Sequence, residues 1–404
     1  MKVKIFPSKA SGEIMAPPSK SLSHRALICG ALSGESMLYN VINGSLSQDI
    51  GVTENCLMHF GANLCVRGET VKIGGFDPKK AKPEVSLDCG ESGSTLRFLI
   101  PLCLLSGERI SLVGAPRLFE RPLTVYEDIC REQGIEFIKT ESSLTLCGRL
   151  KSGCYRVRGD ISSQFITGLL FALPLLDGVS IIEIVGELES ASYIDLTLQT
   201  LQAFGIRITR NANRFVILGN QRYKNAEFTV ESDCSNAAFL EALSFLGGDV
   251  SVLGINQNTL QGDYVFKRMV ADMDMGRREF DLSDCPDLAP ILFAVAAAKG
   301  GATFTGTARL KIKESDRAGA MKEELEKFGI ELLIGENSVT VKKGELKAPT
   351  ETLNGHNDHR IVMALSVISS IYGGEIDGCE AVSKSYPDFF KVLKDLNIVC
   401  EEIK

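Results

Sequence analysis

Residues 327–332 read Lys-Phe-Gly-Ile-Glu-Leu, and residues 203–208 repeat the phrase as Ala-Phe-Gly-Ile-Arg-Ile. In both places an apolar stripe of helical spacing leads into the glycine, and alternating apolar residues follow it. A glycine at this position is typical of a helix that ends in the left-handed backbone region. The alternation after it predicts strands joined by a hairpin turn. Each phrase therefore predicts a helix followed by a β-hairpin.

The phrase recurs along the 404-residue chain. Its glycines stand at positions 61, 134, 205 and 329, and further copies lie at 393–399 and, in degraded form, near 268–280. The first three glycines are 73 and 71 residues apart, so six units of about 67 residues would fill the chain. Fixed self-similarity indicates one supersecondary unit used repeatedly, and we predict an α/β protein. A repeat scaffold without catalytic chemistry is an alternative on the periodicity alone.

Composition and charge narrow the class of protein. Hydrophobic residues make up 44% and charged residues 24%, which is ordinary for a globular protein. The formal net charge of -7 argues against nucleic acid as the partner, because a phosphate backbone requires a basic footprint. The twelve cysteines include no Cys-x-x-Cys pair, which favours reduced thiols over a zinc or disulfide framework. We expect a cytoplasmic protein with no signal peptide and no membrane span.

Residues 17–26 read Pro-Pro-Ser-Lys-Ser-Leu-Ser-His-Arg-Ala and crowd cations and hydroxyls around a predicted helix start. Ser19 or Ser21 can cap the helix, and Ser21 and Arg25 project from one face of it. A helix N-terminus adds free N–H groups and partial positive charge. Lys20, Ser21 and Arg25 therefore predict an anion site, although the stretch taken alone would also suit a capped surface helix.

Six further stretches place polar or charged residues beside predicted helices: 88–97, 116–122, 159–165, 311–317, 355–360 and 383–390. Five of the seven place Lys or Arg near a strand-to-helix junction, often with Ser or Gly. Glu314, amid cations, is a candidate proton donor or acceptor. His356 and His359 are a possible metal pair, but no third ligand is spaced with them. Converging cations and helix starts predict a small ligand with phosphate and carboxylate groups, held between two domains.

In this order the motifs resemble those of the 5-enolpyruvylshikimate-3-phosphate (EPSP) synthase family, the 3-phosphoshikimate 1-carboxyvinyltransferases. The similarity covers the whole chain and is carried by Pro-Ser-Lys-Ser-x-x-x-Arg at 18–25, the glycine turn at 90–97, Glu-Arg-Pro at 120–122, Ser-Ser-Gln at 162–164, Tyr-Ile-Asp at 193–195, Pro-Asp at 286–287, Lys-Glu-Ser-Asp-Arg at 313–317, Asp-His-Arg at 358–360 and Lys-Ser-Tyr-Pro-Asp at 384–388. The resemblance implies a two-domain inside-out α/β barrel built from six repeated βαβαββ units, three per domain.

The resemblance also implies a domain division and a reaction. Residues 18–230 would form the shikimate 3-phosphate domain, residues 1–17 and 231–404 a discontinuous phosphoenolpyruvate domain, and the active site would lie in the cleft between them. The enolpyruvyl group of phosphoenolpyruvate would pass to the 5-hydroxyl of shikimate 3-phosphate through a tetrahedral ketal, in chorismate and aromatic amino acid biosynthesis. The family is the target of glyphosate. No metal or organic cofactor is implied, and the protein would act as a monomer.

Each matching residue receives a role from the resemblance. The shikimate 3-phosphate residues would be Lys20, Ser21, Arg25, Ser162, Ser163, Gln164, Ser190, Tyr193, Asp287 and Lys313. The phosphoenolpyruvate residues would be Lys20, Gly93, Arg121, Gln164, Arg317, Arg360 and Lys384. Asp287, Glu314 and Lys20 would be catalytic. Asp287, helped by Lys313, would take the proton of the 5-hydroxyl, and Glu314 would protonate the methylene carbon and later deprotonate it.

The chain departs from the family pattern at four positions. Glu91 replaces the usual Asn of the glycine turn, Ser94 a common Thr, Ala318 a larger aliphatic residue, and Arg309 an Asn. A carboxylate at position 91 predicts weaker binding of phosphoenolpyruvate, unless it points away or pairs with a cation such as Arg97.

A second family with the same fold, UDP-N-acetylglucosamine 1-carboxyvinyltransferase, is the alternative enzyme. Its reactive loop cysteine would fall within residues 116–121, but no Cys occurs from 104 to 129. The Ser-Ser-Gln and Asp-His-Arg motifs also favour the shikimate enzyme over this alternative.

Overall fold

The computed structural model of the protein describes residues 1–42 and 44–403. Positions 43 and 404 fall in the predicted domain ranges but lie outside the described residues. The chain divides into two compact units. The continuous unit is Pro18–Val230, and the discontinuous unit combines Met1–Pro17 with Glu231–Lys404.

The strands, in chain order, are β1 Lys2–Ile5, β2 Ser11–Met15, β3 Ser36–Tyr39, β4 Asn63–Arg67, β5 Thr70–Gly74, β6 Val85–Asp88, β7 Ile110–Val113, β8 Glu136–Lys139, β9 Ser143–Cys147, β10 Cys154–Arg158, β11 Val179–Val185, β12 Ile208–Asn211, β13 Arg214–Leu218, β14 Glu227–Thr229, β15 Asp249–Leu253, β16 Glu279–Asp281, β17 Ala302–Thr305, β18 Leu332–Ile334, β19 Ser338–Val341, β20 Leu353–Asn354, β21 Gly374–Asp377 and β22 Cys400–Ile403.

The α-helices are α1 Lys20–Leu32, α2 Gln48–His59, α3 Gly93–Cys103, α4 Pro116–Glu120, α5 Thr124–Gln133, α6 Ser163–Ala172, α7 Ala191–Ala203, α8 Cys234–Phe245, α9 Phe266–Asp274, α10 Ala289–Ala298, α11 Arg317–Lys327, α12 His359–Tyr372 and α13 Phe389–Asp395. No helix within the described ranges is long and apolar enough to cross a membrane.

The repeated unit is a βαβαββ fold whose four strands form one small sheet. In the continuous unit the sheet order β6-β7-β9-β8 is repeated as β10-β11-β13-β12, and the discontinuous unit repeats it as β16-β17-β19-β18. The first two strands of each sheet are parallel, as a strand–helix–strand crossover requires. The last two strands form an antiparallel hairpin. The predicted helix-then-hairpin unit is therefore confirmed.

The glycines of the repeated phrase lie where helices end. Gly134, Gly205 and Gly329 have φ values of 67°, 79° and 86°, in the left-handed region that residues with a Cβ avoid. The copy at 393–399 uses Asn397 instead, with φ of 63°. Asn is one of the few other residues that enters this region readily, which explains the substitution.

The chain passes from one unit to the other twice, after Pro17 and after Val230. The strand before each passage pairs within the unit that the chain is leaving. Strand β2 pairs in parallel with β15 of the discontinuous unit, and β14 pairs in parallel with β3 of the continuous unit. Strand β1 pairs antiparallel with both β21 and β22. The first residues of the chain therefore belong to the discontinuous unit.

One of the six sheets is incomplete, because β2 and β15 are its only strands among the described residues. Helix α9 ends at Asp274 and strand β16 begins at Glu279, which leaves too little chain for a hairpin. Strand β16 instead becomes the first strand of the next sheet, paired with β17. The degraded copy near 268–280 thus keeps its helix and a left-handed glycine, Gly276, but has lost its hairpin.

Helices lie inside each unit and the sheets lie outside. Helix α10 buries its first nine residues, and α1, α3, α6, α8 and α12 are also buried along most of their length. A helix that is apolar on every side belongs in an interior. Strand β4, by contrast, exposes four of its five residues. This arrangement agrees with the predicted inside-out fold.

Gly134 tests the left-handed helix end without a steric complication, because nothing lies within 4 Å of the position that a Cβ would take. We expect Gly134→Ala to destabilise the protein by about 1 kcal/mol, since only the backbone conformation is penalised. Gly134→Asn should lower the free energy of unfolding by less, because Asn enters the left-handed region more readily than Ala. Urea unfolding followed by circular dichroism measures both variants, and an unchanged midpoint for Gly134→Ala would contradict the assignment.

Candidate active site

The start of α1 carries the first predicted anion residues. Ser19 caps the helix, and its side chain accepts from the N–H of Leu22. Lys20 follows, with Nζ 2.8 Å from Oδ2 of Asp49 on α2. Both side chains of this pair are only 16% exposed. Asp49 was missed by the sequence reasoning, because nothing local marks it as the partner of a residue on another helix.

Arg25 is buried against α7. Its Nε donates to Oγ1 of Thr197 at 2.8 Å, its Nη2 to the carbonyl of Tyr193 at 2.9 Å, and its Nη1 to the carbonyl of Ser21 at 2.6 Å. Burial lowers the pKa of Arg25 to about 10, so the guanidinium stays charged at neutral pH. The structure therefore brings together Ser21, Arg25 and Tyr193, which the sequence analysis assigned to one ligand.

Arg97 connects three of the predicted stretches in the continuous unit. Its Nη1 donates to Oε1 of Gln164 at 2.7 Å, and its Nη2 donates to the carbonyl of Pro122 at 3.2 Å. The amide nitrogen of Gln164 in turn donates to Oγ of Ser94 at 2.9 Å. The glycine turn, the Glu-Arg-Pro motif and the Ser-Ser-Gln motif thus meet around one guanidinium.

Gly93 begins α3 directly against Arg121. The Nη1 atom of Arg121 lies 2.6 Å from the position that a Cβ on Gly93 would occupy, and Nη1 of Arg97 lies 3.0 Å from it. Real Cβ atoms do not tolerate the shorter distance, so any side chain here would push the guanidinium of Arg121 aside. The absence of a side chain at Gly93 therefore allows the two guanidinium groups to come this close to the backbone.

The remaining predicted residues of the continuous unit start α6 and α7. Ser162 caps α6 by accepting from the N–H of Gln164, and Ser163 is buried behind it. Ser190 precedes α7 with φ of 57°, in the left-handed region that non-glycine residues rarely adopt. Such strain is concentrated at functional sites, which is consistent with the predicted role of Ser190.

Asp287 is the centre of the predicted residues in the discontinuous unit. It lies in the 3₁₀ turn Pro286–Leu288, ahead of α10. Its Oδ1 accepts from Nζ of Lys313 at 3.1 Å and from Nη1 of Arg317 at 2.7 Å, and its Oδ2 accepts from Nη2 of Arg360 at 3.1 Å. Three predicted cations therefore converge on the predicted base.

Arg317 is fully buried at the start of α11 and contacts three carboxylates. It forms a two-point pair with Asp358 through Nε at 2.8 Å and Nη2 at 3.3 Å. Its Nη2 also donates to Oε2 of Glu314 at 2.8 Å. Burial would lower the pKa of Arg317, but Asp358, Glu314 and Asp287 together raise that pKa above its ordinary value. The resemblance assigned no role to Asp358. Its position as the N-cap of α12 is the one local feature that could have pointed to it.

Arg360 and Lys384 complete this group. Nη1 of Arg360 donates to Oγ of Ser235 at 2.5 Å, which joins the start of α12 to the start of α8. Nζ of Lys384 donates to the carbonyl of Asn357 at 2.6 Å, and the lysine is 6% exposed. Arg309, which replaces a family Asn, is also buried and donates to the carbonyl of Ser283 at 2.5 Å.

Neighbouring charges determine the protonation states of Asp287 and Lys313. Burial acts to raise the pKa of Asp287, but Arg360, Lys313 and Arg317 outweigh it and hold that pKa well below its usual range. Burial lowers the pKa of Lys313, and the negative charge of Asp287, which acts to raise that pKa, offsets only part of the effect. Asp287 is therefore ionised at neutral pH, and its basicity depends on how closely the three cations approach it.

One group of described residues could hold a metal ion: Glu323, Glu324 and His356. Nζ of Lys327 already lies 2.9 and 3.0 Å from the two oxygens of Glu324, so a cation of the protein compensates that carboxylate. Among the described residues, His359 does not lie within this group. The arrangement does not favour the His356–His359 metal pair that the sequence left open.

Repeated βαβαββ units with buried cations at several helix starts define an α/β protein whose charged groups suit an anionic small molecule. The family model described as EPSP synthase (3-phosphoshikimate 1-carboxyvinyltransferase) matches residues 6–393. The chain therefore belongs to the EPSP synthase family.

Individual relatives agree with this membership. The 3-phosphoshikimate 1-carboxyvinyltransferase of Clostridium kluyveri is 43% identical, over 98% of this chain and 97% of that protein. The enzyme of the same name from Brachyspira hyodysenteriae is 38% identical, over 98% and 99%. A solved EPSP synthase from Acinetobacter baumannii is similar in fold, with a TM-score of 0.78 at 22% identity over 99% of this chain and 100% of that one.

The comparisons confirm the predicted family, the fold class and the enzymatic nature of the protein. The relatives' names favour the 3-phosphoshikimate enzyme over both the UDP-N-acetylglucosamine enzyme and the repeat scaffold. The roles of individual residues stay predictions.

Arg317 gives a stability prediction. We expect Arg317→Met to destabilise the protein by about 3–5 kcal/mol, because it leaves the fully buried Asp358 without its cation. The control is Arg131→Met, which breaks an ion pair whose side chains are 69% and 59% exposed and should change little. Urea unfolding midpoints compare the two variants. Equal midpoints would show that the buried Arg317–Asp358 pair contributes no more to stability than the exposed Arg131–Asp128 pair.

Proposed function

We propose that this protein transfers the enolpyruvyl group of phosphoenolpyruvate to the 5-hydroxyl of shikimate 3-phosphate and releases phosphate. The observation that carries the proposal is the contact of Asp287 with Lys313, Arg317 and Arg360, with Glu314 held on Arg317. A carboxylate base, a second carboxylate and several cations are the groups that this addition–elimination reaction requires.

The continuous unit would bind shikimate 3-phosphate. Arg25 presents a positive charge whose hydrogen-bond acceptors are a hydroxyl and two carbonyl groups, none of them anionic. Lys20 and Ser21 precede it on the same helix, whose N-terminal N–H groups also favour an anion. Ser162, Ser163, Gln164, Ser190 and Tyr193 supply the hydroxyl and amide groups for the phosphate and the ring.

The predicted phosphoenolpyruvate residues include three guanidinium groups and the ammonium group of Lys384. Arg121 beside Gly93 belongs to the continuous unit, while Arg317, Arg360 and Lys384 belong to the discontinuous unit. Planar guanidinium groups bind carboxylate and phosphate through paired hydrogen bonds. Gln164, and Lys20 as the residue shared by both substrates, complete the predicted set.

Substrate binding would adjust the basicity of Asp287. An anion bound to Arg317 and Arg360 shares the positive charge that holds the pKa of Asp287 low. The carboxylate then becomes a stronger base and takes the proton of the 5-hydroxyl, with Lys313 placed to assist. The oxygen attacks the C2 atom of phosphoenolpyruvate.

Glu314 would carry out the proton transfers at carbon. It delivers a proton to the methylene carbon as the C2–oxygen bond forms, which gives the tetrahedral ketal. The bond between C2 and the phosphate oxygen then breaks, phosphate leaves with the proton that Asp287 had taken, and Glu314 takes a proton back from the methyl carbon to give the enol ether. Arg317 holds Glu314 at 2.8 Å and so fixes its position for both steps.

We further propose that side chains alone supply the chemistry, without a metal or an organic cofactor. The protein would act in the cytoplasm as a monomer, with its two substrates as partners and with neither nucleic acid nor a membrane. The net charge of -7 supports the exclusion of nucleic acid.

Phosphate release tests the reaction. The protein is mixed with phosphoenolpyruvate and either shikimate 3-phosphate or UDP-N-acetylglucosamine, and we expect release only with the former. Asp287→Asn and Glu314→Gln serve as paired controls, and both should lose turnover by at least about a hundredfold with much smaller changes in KM. Release with UDP-N-acetylglucosamine alone would refute the proposal, and normal turnover in either variant would remove that residue from the mechanism.

Gly93 tests the assignment of Arg121. We expect Gly93→Ala to raise KM for phosphoenolpyruvate by about tenfold or more, since the new methyl group must displace the guanidinium of Arg121. KM for shikimate 3-phosphate should change much less. Gly134→Ala is the matched control, because its Cβ meets nothing within 4 Å. An unchanged KM in Gly93→Ala would contradict the expectation that the position of Arg121 against Gly93 determines phosphoenolpyruvate binding.

A further inference from the structure

A chain of buried hydrogen bonds joins three helices of the continuous unit. Nδ1 of His24 on α1 lies 2.8 Å from Oγ1 of Thr53 on α2, and that atom lies 2.6 Å from Oγ1 of Thr95 on α3. Thr95 donates to Oγ of Ser92 at 2.7 Å. All four side chains are at most 1% exposed. We call these four residues the buried relay.

The direction of the buried relay follows from counting hydrogens. The hydroxyl hydrogen of Thr95 goes to Ser92, so Thr95 accepts across its 2.6 Å contact with Thr53. The carbonyl of Asp49, at 3.2 Å, is the weaker acceptor for Thr53. Thr53 has then used its one hydrogen, and the ring of His24 must donate to it from Nδ1.

The state of His24 agrees with this direction. Burial, with added repulsion from Lys20 and Arg25, lowers the pKa of His24 well below its ordinary value, so the ring is neutral. Among the described residues Nε2 of His24 is buried without a hydrogen-bond partner. An apolar side chain would avoid the cost of that buried nitrogen, so a packing role alone does not account for histidine here.

The two ends of the buried relay are neighbours in sequence of predicted substrate residues. His24 stands between Lys20 and Arg25, which are assigned to shikimate 3-phosphate. Ser92 caps α3 by accepting from the N–H of Thr95, and it precedes Gly93, which is assigned to phosphoenolpyruvate. Thr53 lies one turn after Asp49, the partner of Lys20.

We propose that the buried relay sets the position of the turn at Ser92 and Gly93 relative to α1, and that His24 and Thr53 are thereby positioning residues for phosphoenolpyruvate binding. The proposal rests on the proposed function, because it takes Gly93 and Arg121 as phosphoenolpyruvate residues. The approach of Arg121 to Gly93 leaves little space, so a shift of a few tenths of an ångström in the turn would move the guanidinium.

Thr53→Val is the direct test, since it removes the hydroxyl at nearly constant shape and leaves the Nδ1 hydrogen of His24 without an acceptor. We expect KM for phosphoenolpyruvate to rise about five- to twentyfold, with kcat changed by less than about threefold. Thr53→Ser keeps the hydroxyl and should recover most of the wild-type KM. Equal KM values in Thr53→Val and Thr53→Ser would overturn the proposal.

Thr200→Val is the matched control for loss of a buried threonine hydroxyl. Thr200 lies on α7, is fully buried, and donates to the carbonyl of Leu196 at 2.8 Å, outside the buried relay. It should leave KM for phosphoenolpyruvate unchanged, whatever its effect on the unfolding midpoint. A rise in KM equal to that of Thr53→Val would mean that general loss of stability explains both results.

Arg121→Met, in the same assay, separates this inference from the proposed function. If Arg121→Met leaves KM for phosphoenolpyruvate unchanged, the assignment of the substrate position fails. If Arg121→Met raises KM and Thr53→Val does not, only the buried relay fails.

Nitrogen NMR of the imidazole provides a readout that is independent of activity. We expect a neutral His24 with its hydrogen on Nδ1, and with no titration in the ordinary range of an imidazole. A hydrogen on Nε2, or a titration in that range, would overturn the direction of the buried relay.

Discussion

The fold depends on one constraint, which is that six of its helices are buried nearly all round. Helices such as α10 and α12 have no solvent-facing side, so a charged group can be accommodated chiefly where the helix begins or just before it. That is where Arg360 lies, and where Lys20 lies in the other unit. Burial of these helices therefore favours cations at their first turns, where unpaired N–H groups and the helix dipole also favour anions.

Collecting cations in an interior has an electrostatic cost that the surrounding residues offset. Arg317, fully buried, is stabilised by Asp358, Glu314 and Asp287. The same contacts fix two carboxylates that the proposed mechanism uses. The structural compensation of a buried charge and the placement of the base and the acid are thus a single arrangement, which explains why the Lys-Glu-Ser-Asp-Arg stretch is so compact.

The sequence predicted the repeat, the glycine helix ends and the residues of the charged stretches, because these depend on periodicity and local chemistry. It could not show that Lys20 pairs with Asp49, or that Arg97 joins Gln164 to Pro122, because these contacts arise from packing between distant segments. The sequence showed a degraded copy near residues 268–280, but it did not show that the hairpin after α9 is missing. The helix and Gly276 persist there, and only the pairing of β16 with β17 shows that the next strand belongs to another sheet.

Arg25 and the cations around Asp287 are compensated in different ways, and the difference has a chemical consequence. The hydrogen-bond acceptors of Arg25 are carbonyl and hydroxyl groups, which carry no net charge. The cations around Asp287 face carboxylates at short range. A phosphate ester would therefore experience a stronger net positive field from Arg25 than from the cations around Asp287. In the discontinuous unit an incoming anion must compete with Asp287 for Arg317 and Arg360, and that competition would release the basicity that the first proton transfer requires.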